Sequence, residues 1–126
     1  MIIILDSHAL VWSATDTARL SARVKDAITD RSNRVLVSAV SAYELEFKRP
    51  RDLSLSDLPP RLDEAVIGQG FDWLPLSHEQ AAQAGRLPRH HGDPFDRLII
   101  AQAFAEGAVV VTADRWFAAY GVTVIW

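Results

Sequence analysis

The stretch HHGDPFDRLIIAQAFAEGAVVVTADRWF, residues 90–117, sets a helix pattern directly before a short, wholly apolar run. Asp93 suits the N-cap, Pro94 the first helical position, and Asp96 then falls at the third, which predicts a capping box with Asp in place of the usual Glu or Gln. Both carboxylates lie beside the positive end of the helix dipole, where acids are tolerated. AVVVT at 108–112 then has the length and composition of a buried strand. On this stretch alone Asp93 is a cap, and Asp96 stands open between a structural and a chemical role.

The same alternation runs through the rest of the chain. IIIL at 2–5 predicts a buried strand followed by the helix SHALVWSA, and Ser21 caps a second helix with Leu20, Val24, Ala27 and Ile28 at helical spacing. RVLVSA at 34–39 is a strand feeding the helix VSAYELEFK, and RPRDLSLSDLPP at 49–60 is a loop. A helix over roughly 60–69 leads to the strand FDWLPL; Ser77 with Gln80 forms a capping box for HEQAAQAGRL, and VTVI at 122–125 is the last strand. Five strands separated by helices imply an α/β domain with a mostly parallel sheet covered on both faces.

Length and composition narrow the function classes. A chain of 126 residues holds one domain, read here as 1–126, with a core of useful size. With 49% hydrophobic and 23% charged residues the composition is that of a folded soluble protein, not a disordered one. The absence of cysteine removes disulfides, thiolate metal sites and thiol nucleophiles together. MIIILDSHALVW is apolar but lacks a basic start and is interrupted by Asp6, so neither a membrane span nor a secretory leader is expected and the cytoplasm is the expected location. Thirteen basic against sixteen acidic residues give a net charge of −3, so any contact with nucleic acid must come from local basic patches.

In parallel α/β sheets ligands gather outside the carboxyl ends of the strands. Asp6 follows the first strand, Glu44 lies about one helical turn beyond the second, Asp114 follows AVVVT, and Asp96 opens the helix before it. Each has an ordinary explanation taken singly: Asp6 and Asp114 as caps, and Glu44 as the i,i+4 partner of Lys48. Brought together, the four would repel one another unless a cation neutralised them. Hard oxygen donors favour Mg²⁺ or Mn²⁺, with Ser7 and Thr112 adding hydroxyl contacts, and the chemistry that fits is phosphodiester hydrolysis.

LDSHALVW, VSAVSAYELEFK, GFDWLPLSHEQAAQAGRLPRHHGDPFDRLIIAQA and VVVTADRWFAAYGVTVIW together resemble the PIN-domain family, specifically the VapC-type toxin ribonucleases of toxin–antitoxin pairs. The most specific portions are HHGDPFDRLIIAQA and VVVTADRWF. The resemblance implies a three-layer α/β/α sandwich on a five-stranded, mostly parallel sheet. It implies an Mg²⁺- or Mn²⁺-dependent endoribonuclease with Asp6, Glu44, Asp96 and Asp114 as its metal-site acids, an RNA substrate, a VapB-type antitoxin as partner, and pairing of two copies. Asp93 matches an aspartate common in the subgroup and is kept as cap or outer support. The chain has Ser7 where such toxins often carry Thr, and Tyr43 where Trp is frequent; neither change removes an acid.

Other conspicuous residues receive plainer readings. His90 and His91 sit in a polar loop without cysteine partners and are read as solvated, or as contacts to substrate phosphate rather than metal ligands. Trp12, Trp73, Trp116 and Trp126 are read as core or interface packing. Lys48, Arg49, Arg89 and Arg97 are basic residues that neighbour the acidic edge in sequence and the candidates to hold an RNA backbone. A receiver-like phospho-acceptor domain is the competing class, but it wants an acidic pair after the first strand and an aspartate after the third. LDSH offers one acid and LPLS none. A PIN scaffold that only binds partners is the third class.

Overall fold

Four consecutive aliphatic residues form β1, Ile2–Leu5, the middle strand of a five-stranded sheet. The computed structural model describes residues 1–126. β2 (Arg34–Ser38) and β4 (Val109–Val111) flank β1, while β3 (Asp72–Leu74) and β5 (Val124–Ile125) form the edges, in the order β3-β2-β1-β4-β5. All four strand pairings are parallel, with Ile4 opposite Leu36 on one side and Val110 on the other.

Period-two alternation sends successive side chains of β1 to opposite faces. Ile3 and Leu5 join Val35, Val37 and Val111 under α1 (Ser7–Thr15) and α4 (Leu62–Val66), together with Val24 of α2 (Ala22–Thr29) and Leu45 of α3 (Ala39–Lys48). Ile4, Leu36, Leu74 and Val110 pack on the other face beneath Ile99, Ile100 and Ala103 of α6 (Pro94–Glu106) and Phe117 of α7 (Trp116–Ala119). α5 (His78–Arg86), opened by the predicted Ser77–Gln80 capping box, lies against α6. The result is the expected α/β/α sandwich. Each fully buried aliphatic side chain contributes roughly 1.5–3 kcal/mol to holding its layers together.

Three expectations change. Residues 49–60 are not plain loop: they form 3-10 turns at Arg49–Arg51 and Leu53–Leu55, and Leu55 and Leu58, three apart, plug the first core. The helix expected over 60–69 divides into α4 and a 3-10 turn at Ile67–Gln69, closed by Gly70 at φ 82°, a conformation that favours glycine. None of the four tryptophans is fully buried; Trp116 and Trp126 are exposed, and Trp12 packs on the core rim with its ring stacked on His8 and beneath Arg19. Trp73, like Trp12, packs against the first core while only partly buried, as expected of core-edge packing.

Candidate active site

The parallel register brings the carboxyl ends of β1, β2 and β4 to one edge, and the candidate residues sit there. The Asp6 amide donates to the Val111 carbonyl at 3.1 Å, continuing the ladder one residue beyond β1 and β4. As predicted, Asp6 caps α1: its Oδ1 accepts the Ala9 amide at 2.8 Å, while its Oδ2 accepts the Thr112 hydroxyl. Asp6 is buried. Burial pushes its pKa above the ordinary carboxylate value; the Thr112 and Ala9 hydrogen bonds oppose that rise, and Asp114 adds to it.

Glu44 reaches the same edge from the second turn of α3 and is also buried. The Ser7 hydroxyl donates to Glu44 Oε1 at 2.6 Å and meets the Ser41 hydroxyl at 2.9 Å. The expected i,i+4 pair forms, with the Lys48 ammonium on Glu44 Oε2. That hydrogen bond raises the Lys48 pKa, against some desolvation, and the charges of Glu44, Asp93 and Asp96 raise it further.

At the start of α6, Asp93 is the N-cap, its Oδ1 accepting the Phe95 and Asp96 amides at 2.9 and 3.2 Å. The reciprocal half of the predicted capping box is missing. The Asp96 carboxylate turns instead to His91, whose Nε2 lies 3.1 Å from Asp96 Oδ2. A one-carbon-shorter side chain than Glu is poorly suited to reach back to the cap amide, which leaves Asp96 free to face the site. Its pKa is pushed up to about 6, first by burial, then by Asp93, with Asp114 and Asp6 contributing and the His91 contact opposing. Asp114 closes the group: its amide donates to the Thr112 hydroxyl at 3.0 Å and its Oδ1 accepts the Trp116 amide at 2.9 Å, a turn just ahead of α7.

Asp6, Asp96 and Asp114 therefore act on one another electrostatically, and Lys48 links Glu44 to Asp93 and Asp96. No three acids or imidazoles stand close enough to enclose an ion among themselves. No carboxylate follows β3, where Pro75, Leu76 and Ser77 leave the strand, so a receiver arrangement is not built.

The basic candidates differ in freedom. Arg89 is exposed, and Lys48 is partly exposed. Arg49 donates to the Leu58 carbonyl and to Glu46, both at 3.0 Å. Arg97 donates to the carbonyls of Ala84, Leu87 and Pro88 and to the Tyr120 hydroxyl, tying the loop before α6 to the end of α5. His91, expected to be solvated, is instead only 11% exposed in its side chain and is engaged through both ring nitrogens. Ser41 and Tyr120 were not singled out by the sequence. Ser41 is three residues before Glu44 on one helix, a spacing that could have marked it. Tyr120 lies 29 positions from His91, and no local pattern connects them.

Known proteins align with this chain over almost its full length. The family model described as PIN domain matches residues 3–122. Ribonuclease VapC22 of Mycobacterium tuberculosis is 31% identical over 114 residues, covering 90% of this chain and 87% of that protein. The structure of VapBC2 from Rickettsia felis bound to a promoter DNA fragment superposes with a TM-score of 0.72 at 18% identity, covering 99% of this chain and 98% of that one. DNA-bound VapBC from Salmonella typhimurium gives 0.73 at 18% identity, covering 99% and 97%. The sheet order, the carboxylates at its carboxyl edge and these alignments agree that the chain belongs to the PIN-domain family.

Proposed function

We propose that this protein is a divalent-metal-dependent endoribonuclease, a toxin restrained by a VapB-type antitoxin and acting in the cytoplasm, where such RNA targets reside. The carrying observation is that Asp6, Asp96 and Asp114 lie within electrostatic reach of one another at one sheet edge, where Asp96 is disfavoured as an anion. Its likeness to a named ribonuclease and to the toxin chains of VapBC complexes supports that reading.

The donors fit the implied metal. All are hard oxygens, the chain has no cysteine, and the spacing is too open for a dry protein cage, which suits an ion that keeps several of its waters. Asp6, Glu44, Asp96 and Asp114 would hold it, and when bound it supplies an oriented water and stabilises charge on a phosphodiester during displacement. The chain's own residues set the site beforehand. Thr112 fixes the Asp6 carboxylate, Ser7 fixes Glu44, and the helix start positions Asp96. Exposed Arg89, and Lys48 on the open side of its pair with Glu44, offer positive charge to the RNA backbone, supplying locally what the net charge of −3 does not. Arg49 and Arg97, largely engaged by protein acceptors, are weaker candidates for that contact.

The same acidic cleft would accept an antitoxin arginine, whose fork matches carboxylate geometry. Pairing of two copies is supported by the exposed aromatic face of Tyr43 and Phe47, with Phe95 packed against Tyr43. The test is cleavage of RNA by the purified chain with Mg²⁺ or Mn²⁺, with and without EDTA, followed by sequencing of the fragment 5′ ends. Coexpression with the small antitoxin reading frame expected beside its gene should yield a copurifying complex without activity. RNA left intact by folded, metal-supplemented protein would favour the inert scaffold instead.

Asp93→Ala separates cap from chemistry. Loss of the one oxygen that accepts the Phe95 and Asp96 amides should cost about 1 kcal/mol of stability while cleavage survives in part. An unchanged melting temperature with cleavage wholly lost would move Asp93 into the chemistry.

A further inference from the structure

We propose that His91 is a positioning residue for Asp96, held in a single tautomer by the hydroxyl of Tyr120. The proposal rests on the reading of Asp96 as a site carboxylate.

His91 is the one side chain that hydrogen-bonds the Asp96 carboxylate, through Nε2 at 3.1 Å. Its other ring nitrogen, Nδ1, lies 2.7 Å from the Tyr120 hydroxyl. A phenol has one proton to give and two lone pairs with which to accept. Arg97, at 3.2 Å, and the His91 amide, at 3.3 Å, are both obligate donors and occupy the accepting side of that oxygen. The hydroxyl proton must therefore go to an acceptor. Nδ1 at 2.7 Å is nearer than the His91 carbonyl at 3.3 Å. An imidazole accepting at Nδ1 carries its proton on Nε2, and Nε2–H then points at Asp96 Oδ2.

Packing restrains the ring as well. Trp116 stacks on the imidazole at 6.0 Å and 19°, and the Tyr120 ring meets it at a steep angle. The backbone carrying His91 is fastened by Arg97, which binds the carbonyls of Ala84, Leu87 and Pro88. Loop, tyrosine and arginine thus converge on the orientation of one carboxylate. A carboxylate fixed by a hydrogen bond at one oxygen keeps the other unshared for a ligand, which is how outer-shell partners act at metal sites.

Calorimetric titration with Mn²⁺, in parallel with RNA kinetics, tests this. His91→Ala should bind Mn²⁺ about 10–100-fold more weakly than wild type, in the range found for outer-shell partners, and kcat should fall with KM for RNA nearly unchanged. His91→Gln, whose amide can still donate to Asp96, should recover most of both losses. Two-bond ¹⁵N–¹H spectra at pH 7.5 should show the Nε2–H tautomer in wild type and a mixture in Tyr120→Phe, a readout that a merely structural role would not move. If His91→Ala does not fold, the Gln and Phe variants carry the test. Wild-type Mn²⁺ affinity and kcat in His91→Ala, or an Nδ1–H tautomer in wild type, would overturn the proposal. Failure of wild type to bind Mn²⁺ at all would overturn the reading of Asp96 as a metal-site acid, and this proposal with it.

Discussion

Exchanging Asp96 for Asn should silence RNA cleavage and, in the same protein, should raise the melting temperature at pH 7.5 in EDTA. The shape of the side chain is kept and its charge is lost. On the rate, removing one preorganised electrostatic group from a site of this kind costs on the order of 10²–10³-fold. On stability, the sign follows from the carboxyl's pKa of about 6 in the folded protein against an ordinary 3.8. Between those values the folded state binds more protons than the unfolded one, so stability falls as pH rises through the window. The penalty is fully present above about 6 and absent below 3.8. Discounted for partial solvent screening, it amounts to roughly 1–2 kcal/mol. The variant should therefore melt higher than wild type at pH 7.5 and alike at pH 3.5, and added Mn²⁺ should narrow the gap by stabilising wild type alone. Undiminished, EDTA-sensitive cleavage would remove Asp96 from the site, and an unaltered melting difference across that pH range would remove the electrostatic account.

Arg97→Ala should produce the largest loss of stability among the basic candidates. Its guanidinium satisfies three carbonyls and a phenol, and hydrogen bonds from a charged donor are stronger than neutral ones. Truncation should cost about 2–3 kcal/mol, a fall of roughly 8 °C in melting temperature for a chain of this size. Cleavage should weaken through kcat, because the loop carrying His91 loosens, while the salt dependence of RNA binding stays as in wild type. Arg89→Ala is the contrast: little change in melting and a shallower salt dependence, as expected for a lost phosphate contact. A shallower salt slope in Arg97→Ala, with an unchanged melting temperature, would make Arg97 an RNA ligand after all.

The architecture was legible because its signals are local. Aliphatic runs at 2–5, 35–37 and 109–111, and caps at Asp6, Ser21, Ser77 and Asp93, each determine their own few residues, and the structure contains all of them. The edge at which the acids would meet was legible from parallel topology, which sends every strand's carboxyl end to one side. What the sequence did not disclose depends on side-chain reach between distant segments. Leu55 and Leu58 enter the core from a stretch with loop composition, and Asp96 meets His91, whose other ring nitrogen meets Tyr120 just past α7, instead of its own cap amide. Polar residues such as His91 look solvated in one dimension because burial is a property of neighbours contributed later in the chain.

The bond between Thr112 and Asp6 joins residues 106 positions apart, and it lies between the central strand and the one added to its side by β4. Synthesis proceeds from the amino end, and domains fold as their parts emerge. A growing chain complete through α6 carries Asp6, Glu44 and Asp96 but neither the hydroxyl that orients the first of them nor Asp114. The sheet's ordering thus sets a sequence in time: on a growing chain the Asp6 carboxylate stays without its Thr112 donor, and Asp114 is missing, until β4 and the turn after it have been made.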